Sequence, residues 1–312
     1  MDKLFFSILK ASRPRQWLKN VAVATPLLFS GNIFVDSALR STGMGFIVFC
    51  LLSSSGYLLN DILDAPKDRN HPFKRFRPIA SGDLPIPVAF FVSVAMLVTG
   101  LFIAITITPS FFLLSALFVI LQYSYSLIFK HISVIDILAI TTAYFLRVYA
   151  GEAAIGYHIS IWLSLAAVSL ALFLAIGKRR AELTLLGSVK KSATTSTRDS
   201  LSHYSEKLLD TYTAMFANST FLTYAFYTFL EKPINRGFLF TGYGELATAV
   251  SDRKWMMVTI PFVLFGIMRY MQLIYEGKGE SPEKLLTSDM SLILTIVAWI
   301  GSVFFVIYGI GG

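Results

Sequence analysis

Asn60, Asp64 and Asp68 recur at every fourth position in the segment NDILDAPKDRNHPFKRFRPIASG, residues 60 to 82, directly after an uncharged run from Ser41 to Leu59. On a continuing helix this spacing lines three oxygen ligands along one face at a bilayer boundary. Such hard oxygens suit magnesium, which commonly sits between one or two carboxylates and substrate phosphates. Lys67, Arg69, Lys74, Arg75 and Arg77 follow in the same segment and supply cations for further phosphate oxygens. The chemistry to expect is therefore the holding of a metal-bound diphosphate. Adding Asp61 crowds the acids onto consecutive turns, where like charges repel unless a cation compensates them. A merely solvated loop beside a membrane helix has no use for that crowding. Pro66 disfavours helix at Ala65, so a kink or an end is expected between Asp64 and Asp68.

The elements that must position these groups are membrane helices. Hydrophobic residues make up 55% of the 312, mean hydropathy is +0.64, and no charge occurs between Leu84 and Phe129. A soluble domain is excluded by that pattern. The uncharged stretch is long enough for two crossings of ~20 residues each, turning near Thr108, Pro109 and Ser110. Further spans are expected at about 20 to 36, 41 to 60, 133 to 153, 159 to 177, 210 to 230, 255 to 275 and 290 to 310. The sequence thus predicts an all-α, polytopic membrane bundle of nine helices, forming one domain over residues 1 to 312. Its first span is short and interrupted by Pro26.

If the amino terminus is cytoplasmic, most of the 27 Lys and Arg residues fall on that face, and the odd helix count puts the carboxyl terminus outside. The net charge of +8 then belongs to the cytoplasmic face, which suits anionic lipid or phosphorylated substrates. Nucleic acid is not an expected partner, because the bases follow topology and no DNA- or RNA-binding module is visible. A lone Cys50 offers neither a disulfide framework nor a cysteine metal site. The start, MDKLFFSILKASRPRQW, does not read as a cleaved secretory signal. No histidine metal spacing and no glycine-rich phosphate loop is present.

Ionisable residues inside a span are costly and mark function. Asp136, Arg147 and Glu152 share the span near 133 to 153. Arg147 follows Asp136 by close to three turns, so both are expected to face one cavity, the structural alternative being an Arg147 that pairs with an acid to hold helices together. At the cytoplasmic end of the next span, GKRRAELTLLG carries Lys178, Arg179, Arg180 and Glu182, fit either for anchoring or for ligand contact. RPRQWLKN, residues 13 to 20, offers Lys19. The expected topology gathers Lys19, the acidic motif, Lys130, Asp136 and residues 178 to 182 on one face.

The NDxxDxxxD pattern followed by bases resembles the first aspartate motif of the UbiA superfamily of intramembrane prenyltransferases, and the resemblance covers essentially the whole chain. It implies a nine-helix bundle with a central cavity open sideways to lipid, and Mg2+ bridging two acidic motifs to a diphosphate. Carried over by position, Asn60, Asp64 and Asp68 look like the first metal set, with Asp61 as companion. RPRQWLKN, DRNHPFKRFRPIASG, the YSLIFK segment from Tyr125 to Lys130 with Asp136 after it, and FLRVYAG resemble the branch that transfers 5-phosphoribosyl from phosphoribosyl diphosphate (PRPP) to a polyprenyl phosphate. That implies Lys19, Lys74, Arg77, Tyr125, Lys130, Arg147, Lys178 and Arg179 as phosphate and substrate contacts, with Asp136 and Glu182 orienting bases or ribose hydroxyls. The chain departs from the aromatic prenyltransferase pattern at the second motif, where Ile140 stands four residues after Asp136 in place of an acid. The competing readings are prenyl transfer from a prenyl diphosphate to an aromatic acceptor, and transport of a polyprenyl phosphate or metabolite. Oligomeric state, a homo-oligomer included, is left open.

Overall fold

The structure is a computed structural model that describes residues 2–70, 74–189, 204–231, 254–276 and 282–310; the connection between the spans expected at 210 to 230 and 255 to 275 lies almost wholly outside them. All regular structure among the described residues is helical. The helices are α1 (Asp2–Ala11), α2 (Thr25–Phe29), α3 (Asp36–Asp68), α4 (Pro78–Ser81), α5 (Ile86–Ile107), α6 (Pro109–Leu127), α7 (Ile135–Ile155), α8 (Ile161–Val189), α9 (Glu206–Leu230), α10 (Ile260–Tyr275), α11 (Pro282–Ser288) and α12 (Met290–Phe304). A 3-10 segment, Pro14–Ala24, links α1 to α2, and π-helix continues α12 over Phe305–Ile310.

Six of these stretches are long and apolar enough to cross a membrane: Asp36–Asp68, Ile86–Ile107, Pro109–Leu127, Ile161–Thr184, Trp255–Tyr275 and Met290–Ile310. Helices α7 and α9, at 21 and 25 residues, are also long enough to span, but they are less apolar. The first carries Asp136, Arg147 and Glu152, and the second is rich in hydroxyls, most of which bond backward to helix carbonyls, as Thr213, Thr220 and Thr228 do. The expected first span, 20 to 36, is broken. Its residues form 3-10 helix, then five residues of α2 with Pro26 in the first turn, then a turn up to Val35.

The α5–α6 turn falls where Thr108, Pro109 and Ser110 announce it. The Thr108 hydroxyl accepts from Phe111 N at 3.0 Å, capping α6, and Pro109 takes the first helical position, where no donor is needed. At Pro66 the outcome differs from expectation, because α3 runs on for 33 residues to Asp68. The proline lies within its last turn, so few hydrogen bonds are lost, and Arg69 N still reaches Ala65 O at 3.1 Å.

Two packed halves surround the centre. Val48, Phe49 and Leu52 of α3 pack with Phe111 and Phe118 of α6 and Leu146 and Ala150 of α7. Leu163 and Ala166 of α8 pack with Tyr224 and Tyr227 of α9 and with Val303 and Ile307 at the end of the chain. The last turns fold back on the first segment, where the Tyr308 hydroxyl donates to the carbonyls of Leu27 and Leu28, each at 3.1 Å. Outward-facing Phe91, Phe102 and Ile120 are left exposed, as a lipid solvent permits.

Gly151 of α7 lets the Pro14–Ala24 segment come within backbone contact, since a Cβ there would sit 2.0 Å from Val23 O. Because the obstacle is main chain, no side chain can yield. Gly151→Ala is expected to lower stability by ~2 kcal/mol, read as an earlier melting transition in detergent, whereas Gly43→Ala, which meets nothing within 4 Å, should be neutral.

Candidate active site

The carboxyl-terminal end of α3, the Pro14–Ala24 segment, α6, α7 and α8 line a polar cavity of about 200 Å³. Its wall brings together Lys19, Asn60, Tyr125, Arg147 and Lys178, five of the residues expected from sequence. Arg13, Gln16, Tyr57, Gln122 and Tyr144 also line it and were not expected. Arg13 and Gln16 belong to the same RPRQWLKN block as Lys19, so that block was the available signal for them. The glutamine and the tyrosines give no such signal, because an isolated polar residue in a span most often serves helix packing. Trp17 donates to the Ser54 hydroxyl at 3.0 Å and fastens the segment to α3.

At the rim, Asn60 Nδ2 donates to Asp64 Oδ2 at 2.9 Å, and Lys130 Nζ donates to Asp64 Oδ1 at 2.9 Å and to Asn60 Oδ1 at 3.4 Å. Two hard oxygens thus converge on one point that holds a cation, here the ammonium of Lys130, a residue only 8% exposed. The donor chemistry fits magnesium at that point. Among the described residues no three His, Cys, Asp or Glu side chains converge as a protein-only cage, and magnesium shared with phosphate oxygens requires none.

Asp61 and Asp68 are buried one step around the helix and form a separate cluster. Arg77 donates to Asp61 at 3.1 Å and to Asp68 at 2.7 Å, while Arg13 pairs with Asp61 from the other side. Helix geometry explains the grouping. At about 100° per residue, position 68 lies roughly 80° around from 60 but only about 20° from 61. The every-fourth spacing therefore sends Asp68 toward Asp61 and Arg77 and leaves Asn60 with Asp64. Lys74 is exposed on the short helix that follows.

Asp136 does not face the cavity with Arg147. It is fully buried at the start of α7, with Oδ2 at 2.7 Å from Arg179 Nε and Oδ1 accepting from the Tyr204 hydroxyl and from Ile137 N, both at 2.9 Å. Burial, with the Asp136 carboxylate beside it, pushes the Tyr204 phenol up to about 12, so it remains a donor at neutral pH. Arg179, itself 0% exposed, donates to Glu182 at 2.6 Å and to the Tyr125 hydroxyl at 3.2 Å. Arg147, 4% exposed, donates to Asn20 Oδ1 and Ala143 O, both at 2.8 Å, and lies over the Phe118 ring at 4.6 Å. It forms no ion pair with an acid among the described residues.

A second cavity, about 550 Å³ and almost wholly apolar, lies between the Pro14–Phe29 region, α8, α9, α10 and α12. Leu174 borders both cavities, and the Pro14–Ala24 segment contributes Lys19 to the polar one and Val21 and Ala24 to the apolar one.

The model of the UbiA prenyltransferase family matches residues 21–181. The chain belongs to that family. UbiA architecture is equally plain in space: a UbiA homolog from Archaeoglobus fulgidus, solved with GPP and Mg2+, superposes with a TM-score of 0.68 at 21% identity, covering 96% of this chain and 99% of that one. Among curated UbiA relatives, the decaprenyl-phosphate phosphoribosyltransferase of Mycolicibacterium smegmatis is 34% identical over 98% of this chain and 93% of its own length. That of Mycobacterium tuberculosis is 35% identical over 96% of this chain and 94% of its own length. Like other members of the UbiA family, the protein is an integral, multi-pass membrane protein.

Arg77→Met removes the base shared by Asp61 and Asp68 and leaves two buried carboxylates with too little positive charge. We expect a stability loss of ~3 kcal/mol in detergent unfolding, against little change for the exposed Lys74→Met.

Proposed function

We propose that this protein transfers 5-phosphoribosyl from PRPP to a polyprenyl phosphate, decaprenyl phosphate being the acceptor named for its relatives, and releases diphosphate at the cytoplasmic face. The whole chain acts as one unit with its amino terminus on that face. The observation that carries the reading is Arg147, a buried guanidinium on the wall of a polar cavity, with no carboxylate against it and with Lys19 and Lys178 on the same wall. Several cations around one cavity fit a ligand bearing more than one phosphate. PRPP, with a diphosphate at C1 and a phosphate at C5, is such a ligand.

Asn60 and Asp64 are the residues that would hold magnesium, whose chemistry there is to neutralise charge on the leaving diphosphate. In this structure the Lys130 ammonium occupies that point, its charge standing where the ion's would. Arg147, Lys19 and Lys178 take the remaining phosphate oxygens and fix the ribose over the cavity. The bond from C1 to the diphosphate oxygen breaks, its electron pair leaving with diphosphate. An oxygen of the lipid phosphate forms the new bond to C1, which passes through oxocarbenium character. The attacking oxygen is already anionic, so no protein base is needed, and rate comes from positioning and charge compensation. The apolar cavity beyond Leu174 fits the isoprenoid chain of the acceptor, its phosphate lying on the polar side.

Incubation of membranes with labelled PRPP and polyprenyl phosphate should yield a labelled phosphoribosyl lipid, and the parallel incubation with prenyl diphosphate and 4-hydroxybenzoate should yield nothing; the reverse pattern would overturn the assignment. Arg147→Met should raise the KM for PRPP by roughly tenfold to 100-fold, the worth of hydrogen bonds to a charged group, with a smaller effect on the KM for the lipid.

A further inference from the structure

Asp136 is where a second acidic motif would contribute a metal ligand, yet its oxygens face groups of the protein itself. Oδ2 is ion-paired with Arg179 Nε at 2.7 Å without hydrogen-bond alignment, Oδ1 accepts from Tyr204 and from the backbone of Ile137, and the residue has no exposed surface. Ile140, one turn on, lines the polar cavity but has no atom with which to bind a cation. The second position is thus closed from both sides. What reaches the cavity from there is a hydrogen-bond donor, because Arg179, its charge met by Asp136 and Glu182, donates to the hydroxyl of Tyr125, a residue of the cavity wall. With its oxygen accepting from Arg179, the phenol has its own proton left to give. It faces the cavity that also holds Asn60 and Arg147.

We infer that the Asp136–Arg179–Tyr125 chain stands in place of a second divalent ion: Asp136 positions Arg179, Arg179 polarises the Tyr125 hydroxyl, and that hydroxyl donates to a diphosphate oxygen held at a single metal position formed by Asn60 and Asp64. This rests on the reading of the cavity as a diphosphate site. Asp136 is accordingly a positioning residue, and a guanidinium held by Asp136, Glu182 and Tyr125 needs no recruitment from solution. The donor is preorganised, which is the property that makes such a group effective as charge builds on a leaving diphosphate.

The test is an electron paramagnetic resonance titration of the purified full-length protein with Mn2+ in the presence of inorganic diphosphate, paired with diphosphate affinity by calorimetry. The wild type should bind about one Mn2+ per chain. Asp136→Asn should keep that ion at unchanged affinity while diphosphate affinity falls about tenfold, and Tyr125→Phe should give the same fall with no further loss in the double variant, as members of one coupled chain of contacts behave. If Asp136→Asn does not fold, Asp136→Leu combined with Arg179→Met removes both buried charges together, a replacement that membrane and soluble interiors tolerate better than one orphaned charge; it should show the same Mn2+ count and the same weakened diphosphate. About two Mn2+ per chain, one of them lost on removing Asp136, would overturn the inference, as would undiminished diphosphate affinity in these variants. An unchanged Mn2+ count in Asp64→Ala would instead sink the metal position itself and the reading beneath it.

Discussion

Charge compensation in a low-dielectric interior governs this molecule. A carboxylate or guanidinium taken out of water must find a partner, and the structure meets that demand unevenly. Asp61, Asp68, Asp136 and Asp64 each have a base from the chain itself, Arg13 with Arg77, Arg77, Arg179 and Lys130 respectively. Arg147 has an amide, a carbonyl and an aromatic face, which satisfy its hydrogen-bonding geometry without cancelling its charge. The charge of Arg147, which no carboxylate cancels, is thus placed on the wall of the polar cavity.

Much of this was legible in the chain. Uncharged runs located α5, α6 and α12, because lipid tolerates no alternative there, and the Thr108–Pro109 turn was spelled out by its cap and its proline. Lys19, Asn60, Tyr125, Arg147 and Lys178 were expected at one site and share one cavity. The misplaced details have physical causes. Periodicity read at four residues per repeat ignores the drift of a 3.6-residue helix, which is why Asp68 turns to Asp61 and Arg77. Asp136 and Arg147 are close to three turns apart, yet Asp136 sits at the helix start, where Tyr204 and Arg179 close over it. Tertiary closure of that kind leaves no trace in local spacing. The failure of residues 20 to 36 to make one helix was foreshadowed by Pro26, but the 3-10 conformation of Pro14–Ala24 was not.

That 3-10 segment is the hub of the arrangement. Arg13 at its entrance has left-handed backbone, φ 54, a conformation costly for a side chain with a Cβ, and the ion pair to Asp61 together with the stacking of its guanidinium over Tyr57 at 5.2 Å holds it there. Trp17 and Asn20 attach the segment to α3 and α7, and Gly151 admits its backbone against α7. One short irregular stretch thereby sets the positions of Lys19 on the polar side and Val21 on the apolar side.

Among the described residues Leu174 is the one side chain common to both cavities. Under the proposed function it would act as a depth stop: an amphiphile lying across it would have its ester linkage at that level. Further along the lining is mostly aliphatic and aromatic, with Thr25, Thr220 and Thr295 among it, so such an enzyme would measure where the headgroup begins rather than where the tail ends.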